Sequence, residues 1–434
     1  MTNANAENIY QLDGKVPLGQ AIPVGLQHIL AMFVANITPM IILANVCGLD
    51  QLTSAKLIQN AMIVAGIGTL LQLCPIWKIG SGLPIVMGIS FTFLNSAIFI
   101  GTNYSYGAII GCVIVGGIIE GLLGLFAKYW MKIISPIVAA TVVTAIGFSL
   151  LAVGANSFAG GQGAADFGAA HNWIVGTVTL VSCLVFSLVT KGYFKAISVL
   201  FGLIVGYILS ICMGMVDFSV LQGTKVIAAP AFLPFKPEFN LGAIISFVVI
   251  YLVSATETIG DSTAVAETGL NRPIQEKELS GSLAVDGFVS SIAGLFGCTP
   301  ITSFSQNIGL VAMTKVVNRF TIGTGAVIMI LAGLFPVVGA ALTTVPQAVL
   351  GGCTIMMFGT IVVAGFQMMG KCGYSNRNIT IAALSLSIGL GFTQCSEMFN
   401  IFPQIVRSVF AENCVAVVFV LAVILNLVLP KDEK

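Results

Sequence analysis

Apolar stretches of about 20 residues recur along most of this chain, each long enough to cross a bilayer as a helix. A backbone inside hydrocarbon must satisfy its own hydrogen bonds, so runs of this length specify a bundle of membrane helices. Composition agrees: 57% of the 434 residues are hydrophobic and 8% charged, against roughly 25% charged in a soluble domain. The mean hydropathy is +1.02. These values exclude a soluble globular domain and a disordered chain. Lys and Arg total 18 against 17 acidic residues, a net charge of +1, which excludes a nucleic-acid binder. The ten cysteines (47, 74, 112, 183, 212, 298, 353, 372, 395, 414) are scattered singly, without the paired spacing of a metal site or a disulfide framework, and read as small hydrophobes. The first 15 residues are polar and lack a basic stretch followed by a cleavable apolar core, so the first span is expected to be retained.

Hydropathy places segments at 21–45, 56–75, 83–100, 106–127, 133–155, 172–190, 194–216, 241–260, 281–297, 301–320, 322–344, 347–369, 378–395 and 409–429, fourteen spans with both termini on one side. A cytoplasmic N-terminus leaves only Lys56, Lys225, Lys236 and Arg407 outside. The other fourteen basic residues, Lys132, Lys431 and Lys434 among them, fall inside, as the positive-inside rule requires.

Two segments break the helical pattern. Gly82 to Phe91 (GLPIVMGISF) and Cys298 to Asn307 (CTPITSFSQN) each read as a short extended stretch running into a half-helix. Pro84 and Pro300 lack an N–H and push the preceding residue out of the helical region, and the β-branched and Ser-rich residues after them favour extended backbone. The two lie seven spans apart. Matched interruptions in two halves of odd span number are the mark of an inverted repeat with a midplane substrate site. The fold class is therefore all-α and polytopic, with 7+7 inverted repeats and short extended strands in half-helices 3 and 10.

A carboxylate at the bilayer centre is costly and so is a functional candidate by default. Four fall within spans: Glu120, Glu257, Asp261 and Asp286. Glu257 and Asp261, four residues apart in SATETIGDST, share one helix face about a turn apart. Two like charges there repel, so the pair tends to hold a proton, the physical basis of coupled transport. Asp261 has a second reading, as a helix-terminal group facing water. Asp286 reads as support, pairing with a hydroxyl or an unwound backbone N–H. Glu120 has no evident partner. In the first span Gln27 adjoins His28, the membrane-embedded imidazole, which either organises the site or is held by a backbone carbonyl.

The run Gln306 to Lys315 (QNIGLVAMTK) resembles the signature of the nucleobase-ascorbate transporter family, Gln/Glu-Asn-x-Gly-x4-Thr-Arg/Lys/Gly, at every fixed position. The resemblance covers the whole chain through Gln27-His28, the Ser90 to Phe93 run (SFTF), Glu257 with Asp261, and Asp286. It implies a core domain of spans 1–4 (residues 15–127) and 8–11 (241–345). The remaining spans would form a gate domain, 5–7 (128–240) and 12–14 (346–430). It further implies a homodimer in the cytoplasmic membrane, both termini inside, working by an elevator-like motion. Carried over by position, Glu257 binds the base, Gln306 reads it and Phe93 contacts it, with Ser305 and the gate-side Phe358 nearby; Asp261, His28, Asp286 and Asn307 couple protons or organise the site. The implied co-transported ion is a proton rather than sodium, with no cofactor and no enzymatic activity.

In the family Gln at the first motif position goes with xanthine or uric acid, and Glu with uracil. An amide presents a donor and an acceptor to adjacent C=O and N–H groups of an oxidised purine. Asp261 points the same way, since uracil-type members tend to have His there. Lys315, where members vary between Gly and Arg, leaves xanthine against urate open and also reads as a positive-inside anchor. Anion exchange of the sulfate-exchanger kind is disfavoured by the carboxylate Glu257. An aspartyl protease built on Gly260-Asp261 and Asp286 is disfavoured because no Tyr-Asp pair occurs. A passive channel makes less use of paired half-helices.

Overall fold

The computed structural model describes residues 8–130, 134–222, 225–411 and 413–430. Lys132, Lys431 and Lys434 of the charge count therefore lie outside the described residues. Each of the fourteen expected segments contains a helix, in order. They are α1 (Leu18–Val46), α2 (Gln51–Leu73), α3 (Leu94–Asn103), α4 (Tyr106–Leu125), α5 (Pro136–Phe158), α6 (Ala170–Val189) and α7 (Ser198–Cys212). The second half holds α8 (Leu241–Leu270), α9 (Glu276–Leu295), α10 (Ser305–Thr314), α11 (Arg319–Gly333), α12 (Gln347–Cys372), α13 (Asn376–Gln394) and α14 (Cys414–Val428). Short polar side chains start many of them: Asp50, Ser105, Asn240, Asn318, Ser375 and Asn413 each accept from a backbone N–H of the first turn.

Seven described helices are individually long and apolar enough to cross a membrane. Counting α11 and its continuation Pro336–Thr343, bent by 79°, as one span makes eight. The bend falls at Phe335, held extended by the proline after it. The fourteen expected spans thus include pieces that do not cross alone. At 1.5 Å per residue, the ten-residue α3 and α10 reach about 15 Å, half the hydrocarbon thickness.

The interruptions before α3 and α10 are strands, β1 (Met87–Ile89) and β2 (Ile301–Ser303). They pair antiparallel with Gly88 opposite Thr302. The ladder continues one step at each end, Ser90 N donating to Pro300 O (3.0 Å) and Phe304 N to Val86 O (2.9 Å). The two half-helices therefore leave opposite ends of one ladder in opposite directions.

The helix packing repeats when each span is exchanged for the one seven places on. The α4–α9 contact becomes α11–α2, α1–α11 becomes α8–α4, α6–α7 becomes α13–α14, α6–α12 becomes α13–α5, and α5–α12 maps onto itself. An odd number of spans per half makes this repeat inverted. The strongest pairings fall within α1–α4 with α8–α11 and within α5–α7 with α12–α14, while α8 also packs on α14 and α5, and α1 on α7.

In lipid there is no hydrophobic drive between helices, so small residues set the closest contacts. At the α4–α9 crossing a Cβ on Gly287 would lie 2.0 Å from the backbone nitrogen of Gly121. Gly287→Ala is expected to force the helices apart and destabilise the protein by about 2 kcal/mol. Gly391→Ala in α13, with nothing within 4 Å of the added carbon, is expected to leave stability level or raise it by about 0.5 kcal/mol. Thermal melts of the two variants in detergent check both.

Candidate functional site

A two-stranded ladder has unpaired N–H groups along its outer edges, which hydrocarbon cannot satisfy. Here each outward N–H meets a side chain. Met87 N donates to Thr69 Oγ1 of α2 (3.0 Å) and Ile89 N to Asn36 Oδ1 of α1 (2.7 Å). On the other strand Ile301 N donates to Ser290 Oγ (3.1 Å) and Ser303 N to Asp286 Oδ2 (3.0 Å), both on α9. Thr69 and Ser290 are equivalents under the repeat. These four acceptors fix the strands from which the half-helices start.

Around this frame the polar side chains form one connected cluster. Glu257 Oε2 accepts from the Thr92 hydroxyl (2.8 Å), and its Oε1 from Ser305 Oγ (3.3 Å). Ser305 Oγ also reaches Asp261 Oδ2 (2.8 Å), as does Ser303 Oγ (3.3 Å). Ser303 Oγ donates in turn to Thr258 Oγ1 (3.2 Å), whose hydroxyl donates to Asp286 Oδ2 (2.6 Å). One spine of hydroxyls thus links α8, β2, α9, the first turn of α10 and the turn before α3. The half-helix α10 starts at Ser305, beside Glu257 and Asp261, so its free N–H groups and positive dipole end face the carboxylates. None of these acids has a Lys or Arg partner among the described residues.

The expected residues are placed as follows. Glu257 and Asp261 are half-buried, Ser305 is exposed, and Gln306 is half-buried with its amide unpartnered among the described residues. Asp286 is fully buried. Asp261 is not helix-terminal: α8 runs on to Leu270, and the two serines hold the carboxyl. Asn307 Nδ2 donates to the backbone carbonyl of His28 (3.1 Å), tying α10 to α1. The His28 ring is buried, and its Nδ1 has no partner among the described residues, so a carbonyl does not hold that nitrogen. Lys315 caps α10 in a left-handed conformation and donates to Thr268 O (2.7 Å) on α8. Glu120 is buried with neither oxygen paired among the described residues.

The Phe93 ring departs from the expected contact. It packs on Tyr251 (centroids 4.6 Å apart) and Phe247 (5.2 Å), inside the helix group that carries the site. The neighbouring ring, Phe91, makes the edge-on contact with Phe358 of α12 (5.2 Å). A helical turn at Phe91–Phe93 separates the two rings in direction, so they cannot both face one side. The sequence reading also passed over Thr92, Ser303 and Thr258. Hydroxyls are common in membrane helices, and only the fold shows which of them bridge acids.

A family model described as a permease family, Xan_ur_permease, matches residues 19–398. The chain belongs to the nucleobase-ascorbate transporter family. The xanthine permease XanQ of Escherichia coli K12 is 35% identical to it over 448 residues, covering 99% of this chain and 95% of the relative. The xanthine permease of Bacillus subtilis is 33% identical over 414 residues, 94% of each. Among solved structures, the transmembrane domain of the cyanobacterial bicarbonate transporter BicA superposes with a TM-score of 0.61 at 15% identity, covering 91% of this chain and 97% of that one. SLC26A9 gives 0.61 at 12% identity, covering 93% and 66%. At such identities these two speak for the fold alone. This permease is a multi-pass membrane protein with an inverted-repeat fold.

Asp286→Ala would leave the Ser303 N–H and the Thr258 hydroxyl unpaired in the core. Two such groups are expected to cost about 2–6 kcal/mol. Asp286→Asn keeps an acceptor and is expected to cost clearly less, a difference that thermal unfolding of the purified protein reads directly.

Proposed function

We propose that this permease takes up an oxidised purine, xanthine first and uric acid as a second cargo, together with a proton. The reading rests on two facts: Glu257 is held by Thr92 and by Ser305, the first residue of α10, and the next residue, Gln306, has an amide unpartnered among the described residues. A carboxylate accepts from a ring N–H. An amide pairs with an adjacent C=O and N–H. Xanthine offers both patterns, and a base lacking one leaves a buried polar group unpaired. The names borne by the similar permeases support the same cargo.

In this reading the helices α1–α4 and α8–α11 form the core, residues 15–127 with 241–345, and carry the base past a gate of residues 128–240 with 346–430. The acids Glu257 and Asp261, bridged by one serine and without a basic partner among the described residues, share a proton whose transfer accompanies the movement. The core moves against the gate as an elevator. The protein is a homodimer of the cytoplasmic membrane with both termini inside.

Uptake of labelled xanthine into cells lacking their own purine permeases tests this. Accumulation abolished by a protonophore and unaffected by excess uracil is expected; strong competition by uracil, or no uptake, overturns the purine reading. Gln306→Glu is expected to lower xanthine uptake by about tenfold or more, as removing one matched group costs about 1–3 kcal/mol. Glu257→Gln is expected to abolish proton-driven accumulation; if a proton gradient still concentrates xanthine in that variant, the coupling assignment is wrong.

A further inference from the structure

A cavity of about 480 Å³ lies apart from the carboxylate cluster, between the end of α1, the start of α3, the second half of α5 and the first residue of α12. It sits on the side opposite the beginning of α1, which the proposed orientation makes the outer face. Its volume falls within the roughly 300–1,000 Å³ of small-molecule pockets. Its lining includes Asn45, Asn95, Asn156, Gln162, Gln347 and Ser149 and, among the described residues, no charged one. That chemistry does not suit an ion, which would want a countercharge, or an acyl chain, which would strand the amides. It suits a neutral ligand carrying donors and acceptors side by side.

Two observations show that the cavity is built for polar contacts. Gln347 Nε2 is buried without a hydrogen-bond partner among the described residues, so a donor at the cavity wall waits for an acceptor. Asn95 donates to the Ser149 carbonyl (2.8 Å), a bond that joins the site-bearing helices to the α5 group across the cavity. Two aromatic rings pack beside the stretches of α3 and α5 that line it. Phe91, next to the Glu257 partner Thr92 and four residues before Asn95, meets Phe358 edge-on, and Phe358 abuts Gly154 of the cavity-lining stretch of α5.

We propose that this cavity is a second, outer binding site, where a neutral planar base with adjacent C=O and N–H groups rests before the Phe91–Phe358 pair parts. The proposal rests on the purine reading of the central site and adds a stage to it. Gln347 donates to a ring carbonyl, and the Asn156 and Asn45 amides take the remaining edge. Because the site is uncharged, it binds the base without a proton and so independently of Glu257.

The test is protection of a cysteine placed at Ala152, a cavity-lining position with no polar role. Ala152→Cys is labelled in intact cells with a membrane-impermeant maleimide, read against the parent chain, with and without xanthine, and again with Glu257→Gln present. Occupancy slows labelling by 1 + [L]/Kd, about fivefold at four times Kd. The expected result is the same protection in both backgrounds, lost when Gln347→Leu and Asn156→Leu are added. Protection that disappears with Glu257→Gln would mean that the central site acts at a distance, and overturns the proposal. No protection in a protein that still transports xanthine also overturns it. Absence of both uptake and protection overturns the purine reading itself. Gln306→Leu in place of Glu257→Gln repeats the comparison should the first variant fail to reach the membrane.

Discussion

Four outward-facing N–H groups on a three-by-three-residue ladder govern the architecture. In a soluble protein water would satisfy the edges of such a ladder. At the middle of a bilayer each orphan would cost several kcal/mol, so strands can exist there only where side chains accept from them. Thr69, Asn36, Ser290 and Asp286 supply that acceptance, and they come from α1, α2 and α9. Those helices must therefore pack against the ladder before the half-helices can stand. The glycine contact at the α4–α9 crossing brings α4 up against the back of the same assembly. Chain breaks that would be defects in an isolated helix become the point about which the two halves of the protein are related.

From the ladder the chemistry follows by short steps. Asp286 accepts from Ser303 N and the Thr258 hydroxyl with one oxygen, so the acid that satisfies the strand also orients α8. Thr258 directly follows Glu257, so the same contact sets where the Glu257 side chain emerges. Ser303 and Ser305 flank the ladder's end and reach Asp261, and Ser305 reaches Glu257 as well. A displacement of β2 would move all of these contacts together. The support of the ladder and the two half-buried acids form one network here, so a substitution at Asp286 acts first by moving that network.

The features visible in the sequence were those set by local chemistry. Apolar length marks spans, proline marks the breaks at Pro84 and Pro300, and a spacing of four puts Glu257 and Asp261 on one face. What was hidden depends on partners far along the chain. Nothing in the residues around Thr69 or Ser290 distinguishes an acceptor for a strand N–H from the many hydroxyls that bond their own helix, as Thr141 and Thr144 do. The aromatic run Phe91 to Phe93 announced rings near the site, yet the direction of each follows from a turn that hydropathy does not show. The length of α8 was underestimated because hydropathy falls off at the acids, while the helix continues three turns beyond Gly260 by packing against α10. Tertiary contact overrode polarity at that end.

The unused acid in α4 sharpens the electrostatic logic of the whole core. Among the described residues neither oxygen of the buried Glu120 is paired, and Asp286 keeps one oxygen unpaired on the helix that α4 touches through glycine. With Glu257 and Asp261 there are four acids in one helix group and no basic partner for any of them among the described residues. Ionising all four at once in a low dielectric is prohibitive, because a lone buried charge already costs more than the fold's net stability can absorb. A fold that buries four acids together without basic partners has to limit how many of them are ionised at once. The acids differ in exposure. Glu257 and Asp261 are half-open at the start of α10, whereas Glu120 and Asp286 are sealed by helix packing. A change of hydrogen-bond partner is therefore open to the first pair and closed to the second.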